Sequence, residues 1–176
     1  MKPAKKIAFC GILTALSFVL LLATGIFPFA SYAVPAFCGL LLIPILIEFG
    51  AKQALLVFFS VSILSILFAP DRQAAISYIL LLGYYPIVKS YLEKISIRMI
   101  EYICKATVCI LSEIAVFLLS SVFIGMETVK AIPIYLYIGT GLLIFIFFFI
   151  YDWCVTVTAQ LYQQKLKPRF FRQFFK

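Results

Sequence analysis

The fold class this sequence predicts is an all-α membrane bundle of six transmembrane helices, and three observations predict it. The 176 residues are 65% hydrophobic and only 12% charged, whereas soluble domains sit near half apolar and a quarter charged. Mean hydropathy is correspondingly high, at +1.13. Length is the second observation, since such a chain accommodates about six spans of roughly 20 residues and almost nothing else. The third is the distribution of charge. Of the 15 lysines and arginines, all but Arg72 and Lys130 fall on the side of the N-terminus when six spans are threaded. That bias predicts both termini in the cytoplasm. The chain therefore reads as one domain, residues 1–176, in a cell membrane.

The first segment, about 4–27, opens on Lys2, Lys5 and Lys6 and stops before Pro28. Within it Ala4, Ala8, Gly11 and Ala15 are spaced four, three and four apart, which stacks them on one helix face. Helices in lipid associate through close backbone approach along such faces. The flank is thus a candidate docking surface, for the chain's own helices or for another protein. The basic start also resembles a signal-peptide n-region, with a passable cleavage site at Ser31, Tyr32 and Ala33. Its apolar run exceeds the roughly 7–15 residues of a usual h-region, so a retained helix is expected.

An uncharged loop follows, residues 28–35, with a proline at each end. The second segment, about 36–49, is short and carries Pro44, so the expectation is either a span with little tilt or a kinked one partly shielded by its neighbours. Glu48 to Lys52 forms a tight turn around Gly50, because glycine supplies the backbone freedom. The third segment runs about 51–68. Residues 69–73 break the chain, and the fourth segment, about 74–92, contains Pro86, which frees a carbonyl and predicts a kink. A polar linker leads to the fifth segment, about 102–124. The sixth, about 132–163, is too long for one span, so its last turns project into water. The tail, residues 165–176, interleaves basic and aromatic side chains, the pattern of an anchor on anionic lipid.

Several function classes drop out. A net charge of +8 suggests a nucleic-acid partner in a soluble protein, but here the cations flank apolar ends, so none is expected. Histidine is absent, which removes the commonest general base and metal ligand. The five cysteines are scattered, with no Cys-x-x-Cys, and read as small buried thiols rather than a disulfide framework or metal site. No phosphate-cradling glycine motif is present. Neither an enzyme, a cofactor nor a metal is predicted.

Two acids lie within apolar segments. Glu113 sits about 11 residues into the fifth segment, on the order of 16 Å deep. Such a group is a functional candidate by default, or a hydrogen-bonding clamp between helices. Asp152, beside Trp153, is expected to pair with a cation such as Lys89 rather than touch a ligand. Towards the outer face the threading gathers Ser31, Tyr32, Asp71, Arg72, Ser77, Tyr78, Tyr135 and Thr140. Aromatic rings with a few hydrogen-bonding groups are what a small-ligand pocket uses. An aromatic belt with solvated loop residues is the structural alternative.

The basic start, the small-residue flank within Lys5 to Leu16, and the loop, short helix and glycine turn from Tyr32 to Gly50 together resemble one family. They are similar to the substrate-binding S components of energy-coupling-factor (ECF) vitamin transporters, with Gly11 in place of an alanine. The resemblance implies that Ala4, Ala8, Gly11 and Ala15 dock on a transmembrane T component. It implies that loops 28–35 and 69–73 close over a vitamin-sized ligand, and that two ATPase subunits energise uptake. A scaffold of the MreD-like rod-shape type, with no small-molecule substrate, is the competing expectation. A polar outer pocket would discriminate between the two.

Overall fold

The computed structural model describes residues 3–26, 30–93, 98–124 and 134–166, and the described residues are all helical or in turns. Five helices are long and apolar enough to cross a membrane, and the apolar stretch Ala33–Phe49 is shorter.

Helix α1 (Pro3–Ala23) starts on Pro3, whose missing N–H costs nothing in a first turn. It lies along α4 (Ala51–Phe68), with Phe18 edge-on to Phe68 at 6.1 Å. Only its far end is deeply buried, at Ser17, Leu21 and Thr24. The helix stops at Ala23 rather than near Phe27, because Gly25 and Ile26 turn back to bond the carbonyls of Leu22 and Ala23. Phe27 lies outside the described residues.

The second apolar segment begins earlier than the sequence suggests and is bent. Helix α2 (Ala33–Leu40) and helix α3 (Leu42–Phe49) meet at Leu41. Pro44 has no N–H to offer the Leu40 carbonyl, so the hydrogen-bond ladder is interrupted there. Gly50 follows with φ 84°, a conformation glycine adopts without a Cβ penalty, and reverses the chain into α4. That helix buries Ala54, Val57, Phe58, Val61, Ser62 and Ser65, spaced at helical period. It leaves Leu55, Leu56, Phe59, Ile63, Ile66 and Leu67 exposed, the surface expected against lipid tails.

The fourth segment is the axis of the bundle and is far more deeply buried than the other four spans. It is a broken rod made of α5 (Arg72–Ser77), a π-helical turn (Tyr78–Leu82) and α6 (Tyr85–Leu92). Gly83 N–H reaches back to the Tyr78 carbonyl at 2.7 Å, the wide bond of a π-turn. A Cβ on Gly83 would stand 2.6 Å from that carbonyl, so only glycine fits.

Helix α7 (Arg98–Ile124) is inside out. Its buried side carries Lys105, Cys109 and Ser112, and its exposed side Ile103, Ile110, Leu111 and Ile114. Helix α8 (Ile134–Leu161) continues as a π-turn to Leu166, so the sixth segment is as long as its sequence indicates. It buries Phe148, Tyr151 and Val155 against α2, α3 and α7. The linker 125–133 and the basic tail from 167 onward lie outside the described residues.

Candidate functional site

The sequence places its candidate ligand groups near one end of the bundle, and the described loops there do meet. The Ser31 hydroxyl donates to Asp71 Oδ2 at 2.6 Å. The Gln73 amide donates to the Tyr32 hydroxyl at 2.9 Å. Gly25 sits so close to Pro70 that a Cβ would lie 2.3 Å from its ring. Tyr32 also faces Phe147 of α8 at 6.5 Å between ring centres. The two loops are therefore stitched together by named side chains, 40 and 41 residues apart in sequence.

Asp71 does local work as well. Its Oδ1 accepts from the N–H groups of Gln73 at 2.9 Å and Ala74 at 3.3 Å, which makes it the N-cap of α5. Arg72 turns outward and donates to the Ile66 carbonyl at 2.5 Å. Ser77 and Tyr78 are fully buried rather than poised at a rim, and Tyr78 packs on Phe58. Ser77 Oγ and Tyr78 Oη find no hydrogen-bond partner among the described residues, an uncommon state for buried polar atoms. Thr140 is exposed on α8, and the Tyr135 side chain lies outside the described residues.

The docking candidates have a simple placement. Ala4, Ala8, Gly11 and Ala15 are all exposed, and a Cβ at Gly11 would meet nothing within 4 Å. The neighbours on that flank, Ile7, Ile12, Leu16 and Val19, are exposed too. No side chain of this protein fills the stripe among the described residues.

At the other end of the bundle lies a buried ion network. Asp152 of α8 pairs with Lys89 of α6 through Oδ1 and accepts from the Tyr85 hydroxyl at 2.5 Å. Lys105 of α7 stands 3.5 Å from Asp152 Oδ2 and 2.6 Å from Glu101. Lys89, 2% exposed, also donates to Thr156 Oγ1 at 2.7 Å and to the Asp152 carbonyl at 2.6 Å. One carboxylate thus ties three helices. The sequence points to Lys89 as the partner and does not single out Lys105, one of the cations it places on the side of the N-terminus. Helical spacing gives the signal for Lys105, because it shares a face with Cys109 and Ser112. Glu113 does not join this network through any hydrogen bond described; it accepts from the Cys109 thiol one turn away, at 3.7 Å.

Beside the network a cavity of about 530 Å³ opens between α3, the Gly50–Ala51 turn, α6 and α8. Its volume falls within the range of small-ligand pockets. Among the described residues no group of three or more metal-binding side chains converges.

These features define an all-helical membrane protein, in which a few polar and charged side chains are buried within an apolar core and further apolar side chains face outward. No family model, curated protein or solved structure matches the chain.

Proposed function

We propose that this chain is the membrane-embedded substrate-binding subunit of an ECF-type importer. In this reading six spans cross the plasma membrane with both termini in the cytoplasm, and the basic tail rests on anionic lipid. A small vitamin-like molecule is captured at the outer face, and α1 docks on a T component that works with ATPase subunits. The chain itself performs no covalent chemistry.

The observation that carries the reading is the open flank of α1. Bulky side chains suit a lipid-facing helix, whereas a row of small ones lets another helix backbone approach closely. Ala4, Ala8, Gly11 and Ala15 leave such a row vacant of this chain's own side chains. One further feature supports ligand capture: Ser77 and Tyr78 carry buried hydroxyls without described partners.

The test is co-expression with a T component and its ATPases. Ala8→Leu or Gly11→Leu should leave the protein folded and abolish co-purification; an intact complex would remove the docking role. Native mass spectrometry of the purified chain should show a retained small molecule. The MreD-like scaffold reading is favoured by one observation, that Ser31, Tyr32, Asp71 and Gln73 already bond one another. A chain that never retains a small molecule, yet binds a membrane partner through α1, would support the scaffold instead.

A further inference from the structure

The cavity beside Lys89 lies at the opposite end of the bundle from the stitched loops, because α4 spans the distance between its Gly50 turn and residue 69. One wall is apolar, with Leu46 and Ile47 of α3 and Val155 of α8. The other wall is polar, with Lys89, Ser90, Glu93, Thr156, Gln160 and Gln163. The state of the protons on that polar wall decides what can bind.

Lys89 has three ammonium protons, and three acceptors within the chain take them: Asp152 Oδ1, the Asp152 carbonyl and Thr156 Oγ1. It has no donor left for an anionic ligand. Ser90 donates its proton to the Ile87 carbonyl at 2.7 Å, and Thr156 donates to the Asp152 carbonyl at 3.2 Å. Both hydroxyls therefore offer only lone pairs to the cavity. Glu93 Oε1 stands 3.6 Å from Lys89 Nζ, outside hydrogen-bonding range, and its side chain is 45% exposed. Asp152 sits closer to Lys89, and Glu101 sits closest to Lys105. Among the described residues, Glu93 is the acid of this network whose charge is least consumed. The wall thus presents a carboxylate, two acceptor hydroxyls and the amides of Gln160 and Gln163, which both donate and accept, opposite an apolar face; its only described charge not already consumed is negative.

We propose that this cavity binds a small amphiphilic ammonium ion, with its N–H donors on Glu93, Ser90 and Thr156 and its apolar body against α3. A primary amine in solution and the ethanolamine head of a membrane lipid share that chemistry. The site stands apart from the docking flank and the outer loops, so its test is independent of the importer reading.

The experiment uses the full chain in phosphatidylcholine nanodiscs, titrated calorimetrically with three probes of one shape: 3-phenylpropylamine, 3-phenylpropanol and 3-phenylpropanoate. The amine should bind saturably and at least about tenfold more tightly than the alcohol, and the acid should not bind, because a charge-assisted hydrogen bond is about twice as strong as a neutral one. Glu93→Gln should weaken the amine about tenfold and leave the alcohol unchanged. Gln160→Lys, at an exposed position of the same wall, should do likewise without touching the ion network. Equal binding of all three probes, preference for the acid, no saturable binding, or indifference to both substitutions would each overturn the proposal. Repeating the titration in phosphatidylethanolamine nanodiscs separates the sources. A weaker amine there identifies the lipid head as the natural occupant, and unchanged affinity identifies a soluble amine.

Discussion

The Tyr151 hydroxyl donates a 2.8 Å hydrogen bond to the carbonyl of Leu82, 69 residues away in the chain. That carbonyl is four residues before Pro86, so it is the one the proline leaves without a helical donor. A side chain on α8 therefore satisfies the break in the central rod. Tyr151 and Leu82 are both buried, where an unmet carbonyl costs about 1–3 kcal/mol. Tyr151→Phe is expected to lower unfolding stability by that amount while keeping the bundle. Denaturant unfolding in detergent, followed by the sole tryptophan, Trp153, would measure it.

Asp152 is the second tie across helices. With Lys89 2% and Lys105 6% exposed, removing the acid strands cations away from water. Breaking a buried pair by deleting one partner typically costs about 3–5 kcal/mol, whereas replacing both by apolar residues is often neutral. Asp152→Leu should therefore be strongly destabilising. Adding Lys89→Met should restore most of the loss, because Lys105 keeps Glu101 at 2.6 Å. A double variant no better than the single one would show that the network is not held by charge pairing.

Helix existence was legible because apolar runs and their breaks at Gly50, Pro70 and Pro86 follow from backbone chemistry alone. Segment 51–68 matches α4 to the residue. The break at Leu41 follows from Pro44, whereas the π-turn at Tyr78–Leu82 depends on which partner catches a displaced carbonyl, and sequence spacing does not reveal that. The same limit applies to the site. Ser31 donates to Asp71, and the N-cap role of Asp71 needed the geometry of Gln73 and Ala74. Lys105 drew no separate expectation, because a count of charges by side says nothing of which helix face buries them, and α7 turns this one inward. The cavity beside Lys89 rests on α3, α6 and α8 meeting, a tertiary fact with no local signature.

Asp71 carries two separable roles, and one pair of substitutions divides them. Asn caps helices about as well as Asp, whereas Ala costs about 1 kcal/mol. Asp71→Ala should loosen the start of α5, read as faster hydrogen exchange at the Gln73 and Ala74 amides, and Asp71→Asn should protect them. If Asn fails as Ala does, the negative charge matters beyond the cap. If instead the Asn variant keeps amide protection but loses ligand, Asp71 belongs to the outer site.

Two glycines on neighbouring elements should respond in opposite ways. Gly11 faces open space, and a Cβ there meets nothing within 4 Å, so Gly11→Leu should change stability by no more than about 0.5 kcal/mol. Gly39 is wedged against the Tyr151–Leu82 bond: a Cβ would lie 2.2 Å from Tyr151 Oη and 2.5 Å from the Leu82 carbonyl oxygen. Gly39→Ala should therefore cost roughly 1–3 kcal/mol, the range of an overpacked core. In a Tyr151→Phe background the hydroxyl contact is gone while the carbonyl contact remains, so the penalty should shrink without vanishing. A double-mutant cycle on unfolding free energies measures that coupling. Strict additivity of the two changes would mean that α2 and α8 do not meet at Gly39 as described.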